Sequence, residues 1–90
     1  MNQLFVIDGA DNVATALTDT PPGPCALTGA VSGELLVTEL IPRGHKAALR
    51  EIPAGAPVVK HGHPVAKSLC GIAAGEWVHI HNVRSLHANA

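Results

Sequence analysis

The sequence predicts a small, mostly β domain, and three observations carry that expectation. The 90 residues include 9 Gly and 7 Pro, scattered so that no long segment is free of a turn signal, which leaves room only for short elements. Apolar residues come in brief runs of Val, Leu and Ile between those signals, the pattern of short strands. One turn unit also recurs: Ile41-Pro42-Arg43-Gly44, Ile52-Pro53-Ala54-Gly55 and Ile72-Ala73-Ala74-Gly75 share the form Ile-(Pro/Ala)-x-Gly, with Thr20-Pro21-Pro22-Gly23 a weaker fourth copy. In such a unit Ile anchors in the core, Pro or Ala opens a turn, and Gly supplies a positive φ or open space before the next strand. Uneven spacing excludes a solenoid. Strand–turn–strand units in so short a chain give a compact, irregular clip or small barrel.

In chain order, residues 3–7 read as a first strand, stopped by Asp8-Gly9. Asp11-Asn12 is placed to cap a short helix over residues 13–17, against the preference of Thr15 and Thr18. The prolines of residues 20–24 fix φ and remove donors, so no regular structure is expected there. Strands follow at 25–28 and 34–40. The second alternates only loosely, as a strand covered on both faces does. Further strands are expected at 57–60 and 77–82, with a short helix over 65–69. Residues 1–83 form the expected domain, and 84–90, including His87, a C-terminal tail.

Composition narrows the function classes. A hydrophobic content of 47% with 14% charged residues excludes the usual disordered composition. Phe5 and Trp77 are the aromatic residues, so the core must come from Val, Leu, Ile and Ala. A domain this small buries only about 60% of its unfolded surface, and its weakly charged exterior suggests coverage by a partner. Net charge is −1 without a run of Lys or Arg, which argues against nucleic-acid binding. No stretch reaches the roughly 20 apolar residues of a membrane span, and residues 1–6 lack the features of a signal peptide. Cys25 and Cys70 form no CxxC pair and read as thiols. These features point to the cytoplasm.

The chemistry lies in the six histidines. On a strand, His79 and His81 of His79-Ile80-His81-Asn82 would project from one face, a pairing that makes half of a Fe, Zn, Ni or Cu site. His61-Gly62-His63 repeats the spacing, and four imidazoles would converge if the segments met. Alternatively these are solvated histidines, and Gly62 favours a loop. Gly44-His45-Lys46 places a proton donor or acceptor beside a cation after a turn, a pair suited to binding a carboxylate; an exposed loop is the plainer reading. Lys60, Arg43, Arg50 and Lys67 read as surface charges. Ser32, Ser68 and Ser85 lie in no nucleophile motif, and Gly29-x3-Gly33 is no phosphate loop.

Longer blocks then carry a resemblance. Asp11-Asn12-Val13-Ala14-Thr15-Ala16-Leu17, Ile41-Pro42-x-Gly44-His45-Lys46-x-Ala48-Leu49, Gly55-x-Pro57-Val58-Val59-Lys60-x-Gly62 and Ile72-Ala73-Ala74-Gly75-Glu76-x-Val78-His79-x-His81-Asn82-Val83 are similar, in order, to the small SAF-type domain of the altronate/galactarate dehydratases. The same domain forms the small subunit of two-subunit relatives such as sulfolactate sulfo-lyase. The resemblance implies a SAF-type β-clip and a hydro-lyase acting on a sugar acid or related 2-hydroxy acid. It also implies a divalent metal, often iron (Fe2+), and a larger catalytic lyase subunit. Its matched polar positions imply His45, Lys46 and His81 as catalytic residues, Lys60 and Asn82 as substrate-binding residues, and His79 and His81 as metal ligands. Elimination β to a carboxylate needs such a set: a cation for the carboxylate, a base for the α-proton, and an acid or metal at the leaving group. The chain departs from the family pattern at His61, usually aromatic, at His63, and in the proline-rich 21–24 stretch. Other readings of the same fold are a carbohydrate- or metal-binding module without catalysis, a sulfolactate sulfo-lyase small subunit, and a structural or regulatory subunit.

Overall fold

A computed structural model describes residues 2–86, and every regular element in them is a strand. In chain order these are β1 (Asn2–Val6), β2 (Val13–Ala16), β3 (Gly23–Gly29), β4 (Gly33–Val37), β5 (Lys46–Ala48), β6 (Pro57–Lys60), β7 (His63–Ser68), β8 (Trp77–Val78) and β9 (Val83–Ser85). They form a six-stranded sheet in the order β4-β3-β1-β2-β5-β8 and a three-stranded sheet in the order β6-β7-β9. The β1–β3 pairing is parallel and the other ladders are antiparallel. Among the described residues no helix is long and apolar enough to cross a membrane.

The repeated turn unit builds much of this frame. Ile41, Ile52 and Ile72 are buried, and each makes an isolated bridge, Ile41 to Thr20 and Ile52 to Ile72. After each Ile the chain turns back. The N–H groups of His45, Ala56 and Glu76 donate to the carbonyls of Pro42, Pro53 and Ala73 at 2.9, 3.0 and 3.1 Å. Gly44, Gly55 and Gly75 sit at φ 82°, 81° and 88°, as the third position of a type II turn requires. A strand starts two residues after each Gly, giving β5, β6 and β8 in turn. Gly75 has a second constraint: a Cβ there would overlap the Leu36 carbonyl oxygen. The 73–76 turn lies against β4 at this point, and Thr38 N–H donates to the Gly75 carbonyl at 3.1 Å.

Two-sided burial falls on β2 and β5 and not on the 34–40 run, where β4 stops at Val37 and alternates, with Leu35 and Val37 buried and Leu36 exposed. One core cluster gathers Leu4, Val6, Cys25, Val37 and Ile41; the other gathers Ile52, Val58, Ala66 and Ile72. β2 and β5 serve both, because neighbouring residues on a strand face opposite ways. Ala14 and Ala47 enter the first cluster while Val13 and Ala48 enter the second.

Further local expectations are corrected. Residues 13–17 are not helical: β2 occupies Val13–Ala16. The expected cap residues bind another hairpin instead. Asn12 accepts from Val59 N–H at 2.8 Å and donates to the Pro57 carbonyl at 3.0 Å, while the buried Asp11 carboxylate accepts from the N–H groups of Asp8, His61 and Gly62. Residues 65–69 lie mostly in β7 rather than a helix, with Ala66 and Ser68 buried at period two. Gly23 and Pro24 open β3 rather than remaining irregular. Pro24 pairs with Leu36 of β4 close to the start of its strand, a position that accommodates a proline. The strand expected at 77–82 stops at Val78. At the C-terminal end, β9 pairs Val83, Arg84 and Ser85 with β7 in the smaller sheet. His87 lies outside the described residues.

Candidate functional site

The β5–β8 ladder assembles the site. Its register pairs Lys46 with Val78 and Ala47 with Trp77, so one step further places His45 opposite His79, with ring centroids 4.4 Å apart. Just beyond the two strand ends, His45 lies two residues before Ala47 and His79 two residues after Trp77, the spacing that returns to the same side. The indole of Trp77 therefore meets both histidines. It stacks on His79 at 5.3 Å with 7° between planes, and its Nε1–H donates to His45 Nδ1 at 3.1 Å. His81 approaches the same indole at 5.0 Å. On the opposite face, Lys46 and Val78, together with Val58, Val65 and Val83, line a mainly apolar cavity of about 320 Å³, which His79 also borders.

The turn carrying His79 and His81 is fixed from within. Asn82 is buried; its Oδ1 accepts from His79 N–H at 2.9 Å and its Nδ2 donates to the Trp77 carbonyl at 2.8 Å. Backbone N–H groups of Asn82 and Val83 close the turn onto the His79 carbonyl at 3.0 and 3.1 Å. Asn82 thus commits its amide to backbone groups, and its observed contacts are those of a residue that shapes the turn. Glu39 fixes the other side by accepting Trp77 N–H at 3.1 Å.

Electrostatics sets the protonation states. Burial first, then the neighbouring His45, His81 and Lys46, hold His79 below the ordinary histidine value, which favours a neutral imidazole at pH 7. Burial, reinforced by the charge of Lys60, likewise lowers the half-buried Lys46. The cluster therefore sets an imidazole that favours its neutral form near the Lys46 ammonium, chemistry suited to holding an acid group and exchanging a proton.

His61 and His63 are not part of this cluster. His61-Gly62 makes a two-residue hairpin turn between the paired Lys60 and His63, with φ 58° and 76°, and both histidines are exposed. Among the described residues no three His, Cys, Asp or Glu side chains come together in a way that could hold a metal ion, so the four-imidazole arrangement does not form. No buried side-chain nitrogen or oxygen among them lacks a hydrogen-bond partner. The described residues by themselves therefore do not supply a complete ligand set for the implied iron. The sequence alone pointed to no site role for Trp77 or Glu39 and marked Asp11 only as a helix cap. Trp77 was detectable as the lone Trp beside the His79 motif; Asp11 and Glu39 act through contacts across the fold.

Comparison with known proteins agrees with this frame. A family model described as the altronate/galactarate dehydratase SAF domain matches residues 2–86. Altronate dehydratase of Escherichia coli (strain K12) is 40% identical over 83 residues, 92% of this chain and 16% of that protein. Altronate dehydratase of Bacillus subtilis (strain 168) is 36% identical over 85 residues, 94% of this chain and 17% of that protein. The chain thus spans about a sixth of these dehydratases. By contrast, the (2R)-sulfolactate sulfo-lyase subunit alpha of Chromohalobacter salexigens is 31% identical over 87 residues, 90% of this chain and 93% of that subunit. The relatives are lyases or a lyase subunit, and the chain belongs to the SAF-domain family of the altronate and galactarate dehydratases.

Proposed function

We propose that this chain acts as the small subunit of a cytoplasmic hydro-lyase, completing an active site with a larger catalytic subunit that acts on a sugar acid or related 2-hydroxy acid. The observation that supports this reading is the joining of His45, Trp77, His79 and His81 at one end of the β5–β8 ladder, with Lys46 on the neighbouring cavity wall. In this reading Lys46 and Lys60 attract the carboxylate, while His45 and His81 carry protons to or from the reacting carbons and leaving group. His79 is the neutral imidazole beside them, and Asn82 holds the turn that presents the pair. Any ion bound by His79 and His81 draws its remaining ligands from the larger subunit, and no step of this scheme depends on it. A separate partner accords with the number of large apolar side chains left more than half exposed, Leu17, Leu36, Leu40, Leu69, Ile80 and Leu86, some of which an interface would cover.

The near-complete overlap with the sulfo-lyase subunit favours a second form of the reading, in which the group eliminated β to the carboxylate is sulfite instead of water. One experiment addresses both. The purified chain is mixed with a lyase large subunit and assayed for elimination from aldonates, aldarates and sulfolactate. The expected result is no activity in either chain alone, activity on mixing, and a loss of about 10²-fold or more for His45→Ala or His81→Ala, as for removal of a general acid or base. Full rate in both variants would remove the histidines from the chemistry.

A further inference from the structure

We infer that Trp77 is a positioning residue that fixes the tautomer of His45. The inference rests on the reading of His45 as a proton-transfer group, and its physical core is a single contact. The indole Nε1–H has no acceptor capacity and can only donate. Its partner, His45 Nδ1, 3.1 Å away, must therefore be the unprotonated ring nitrogen. In the neutral imidazole the remaining proton then resides on Nε2, so His45 presents Nε2–H as its donor. Histidines used in chemistry generally have their tautomer set by the hydrogen bond of the other nitrogen. Here an indole does this in place of the more usual carboxylate or carbonyl, and it adds no negative charge beside a site built to attract an anion.

The indole is held in place. Trp77 pairs with Ala47 in the ladder, its N–H donates to Glu39 and its carbonyl accepts from Asn82, and its ring stacks on His79. His45 is fixed independently, with its N–H on the Pro42 carbonyl and its own carbonyl accepting from Ala16 N–H at 2.8 Å. Both ends of the contact are thus set by backbone hydrogen bonds, which gives the indole–imidazole bond a defined geometry.

The test reads the tautomer directly. Nitrogen-15 spectra of the labelled chain at pH 8 should show His45 with Nδ1 unprotonated and Nε2 protonated. The single Trp gives one indole N–H signal, which should exchange slowly and should move and exchange faster in His45→Ala. Trp77→Phe keeps an aromatic ring beside His79 but removes the donor, and should leave His45 as a mixture of tautomers. In the assembled enzyme, Trp77→Phe should lower kcat about 10-fold with little change in KM. The double variant with His45→Ala should be no slower than His45→Ala alone. A His45 protonated at Nδ1 in the parent chain would overturn the inference, as would an unchanged tautomer in Trp77→Phe. Should no large subunit ever yield elimination activity, the functional reading fails while the tautomer result stands on its own.

Discussion

Gly75 carries two separable burdens, and alanine substitutions can measure them apart. Gly71 has neither burden: its φ is ordinary and a Cβ there meets nothing within 4 Å. Gly55 carries only the first, a φ of 81° with no contact nearer than the Lys67 Cε at 3.9 Å. Gly75 has a φ of 88°, and its Cβ would overlap the Leu36 carbonyl oxygen and lie 3.1 Å from the carbonyl carbon. Left-handed backbone costs an alanine about 1–2 kcal/mol, partly offset by the roughly 0.4–1 kcal/mol that alanine gains by restricting the unfolded chain. Gly55→Ala should therefore lose about 1 kcal/mol. In Gly75→Ala the obstacle is backbone and cannot rotate away, so the 73–76 turn must lift from β4. That endangers the Thr38-to-Gly75 and Gly75-to-Ala48 hydrogen bonds, each worth about 1 kcal/mol. With the net φ cost, the loss comes to about 3 kcal/mol. Thermal unfolding followed by circular dichroism gives the readout, at roughly 4–8 °C per kcal/mol for a domain of this size. Gly71→Ala should stay within a few degrees of the parent, Gly55→Ala should fall modestly, and Gly75→Ala should fall by about 12 °C or more, or show no folded baseline. Equal effects from Gly55→Ala and Gly75→Ala would refute the close approach of the turn to β4.

Asp11→Asn should cost about 2–3 kcal/mol, because an amide cannot satisfy all three backbone donors that the carboxylate holds; urea unfolding at pH 7 measures it. Burial pushes the Asp11 carboxyl up, but the N–H groups of Gly62, His61 and Asp8 and the nearby His61 outweigh it and leave the group below 3.8. Its stabilisation is therefore complete above that value and lost as pH falls through the lower folded value, so the acid limb of a stability–pH curve should flatten in Asp11→Asn. His79 should titrate below 6.5 in a proton NMR series, and Lys46→Met should move it upward by removing one of the charges that depress it. Since its folded value is the lower one, its contribution to stability is present above 6.5 and declines as pH falls. Asn82→Ala should destabilise by about 1–3 kcal/mol through two lost side-chain hydrogen bonds, and should broaden the His79 and His81 ring signals as the turn loosens.

Turn chemistry was legible in the chain because it is local. The Ile-x-x-Gly units at 41, 52 and 72 needed only the steric freedom of glycine and the apolar pull on isoleucine, and all three appear with the same hydrogen bond and the same strand start. The mostly β class and the bounds of β6 follow from the same short-range signals. Helix against strand at 13–17 and 65–69 was not local. Asp11 and Asn12 carry the residue types of a cap, yet they serve a hairpin some fifty residues away. The histidines divide along the same line. Spacing alone placed His79 and His81 on one strand face, whereas the strand ends at Val78 and a turn held by Asn82 carries them both. What brings His45 to His79, and the indole between them, is the register of β5 on β8. Residue identities supplied the chemical groups. The pairing that joins groups 32 positions apart is set by the burial of Ala47, Ala48 and Val78 on the two cores, and only the folded chain satisfies those constraints together.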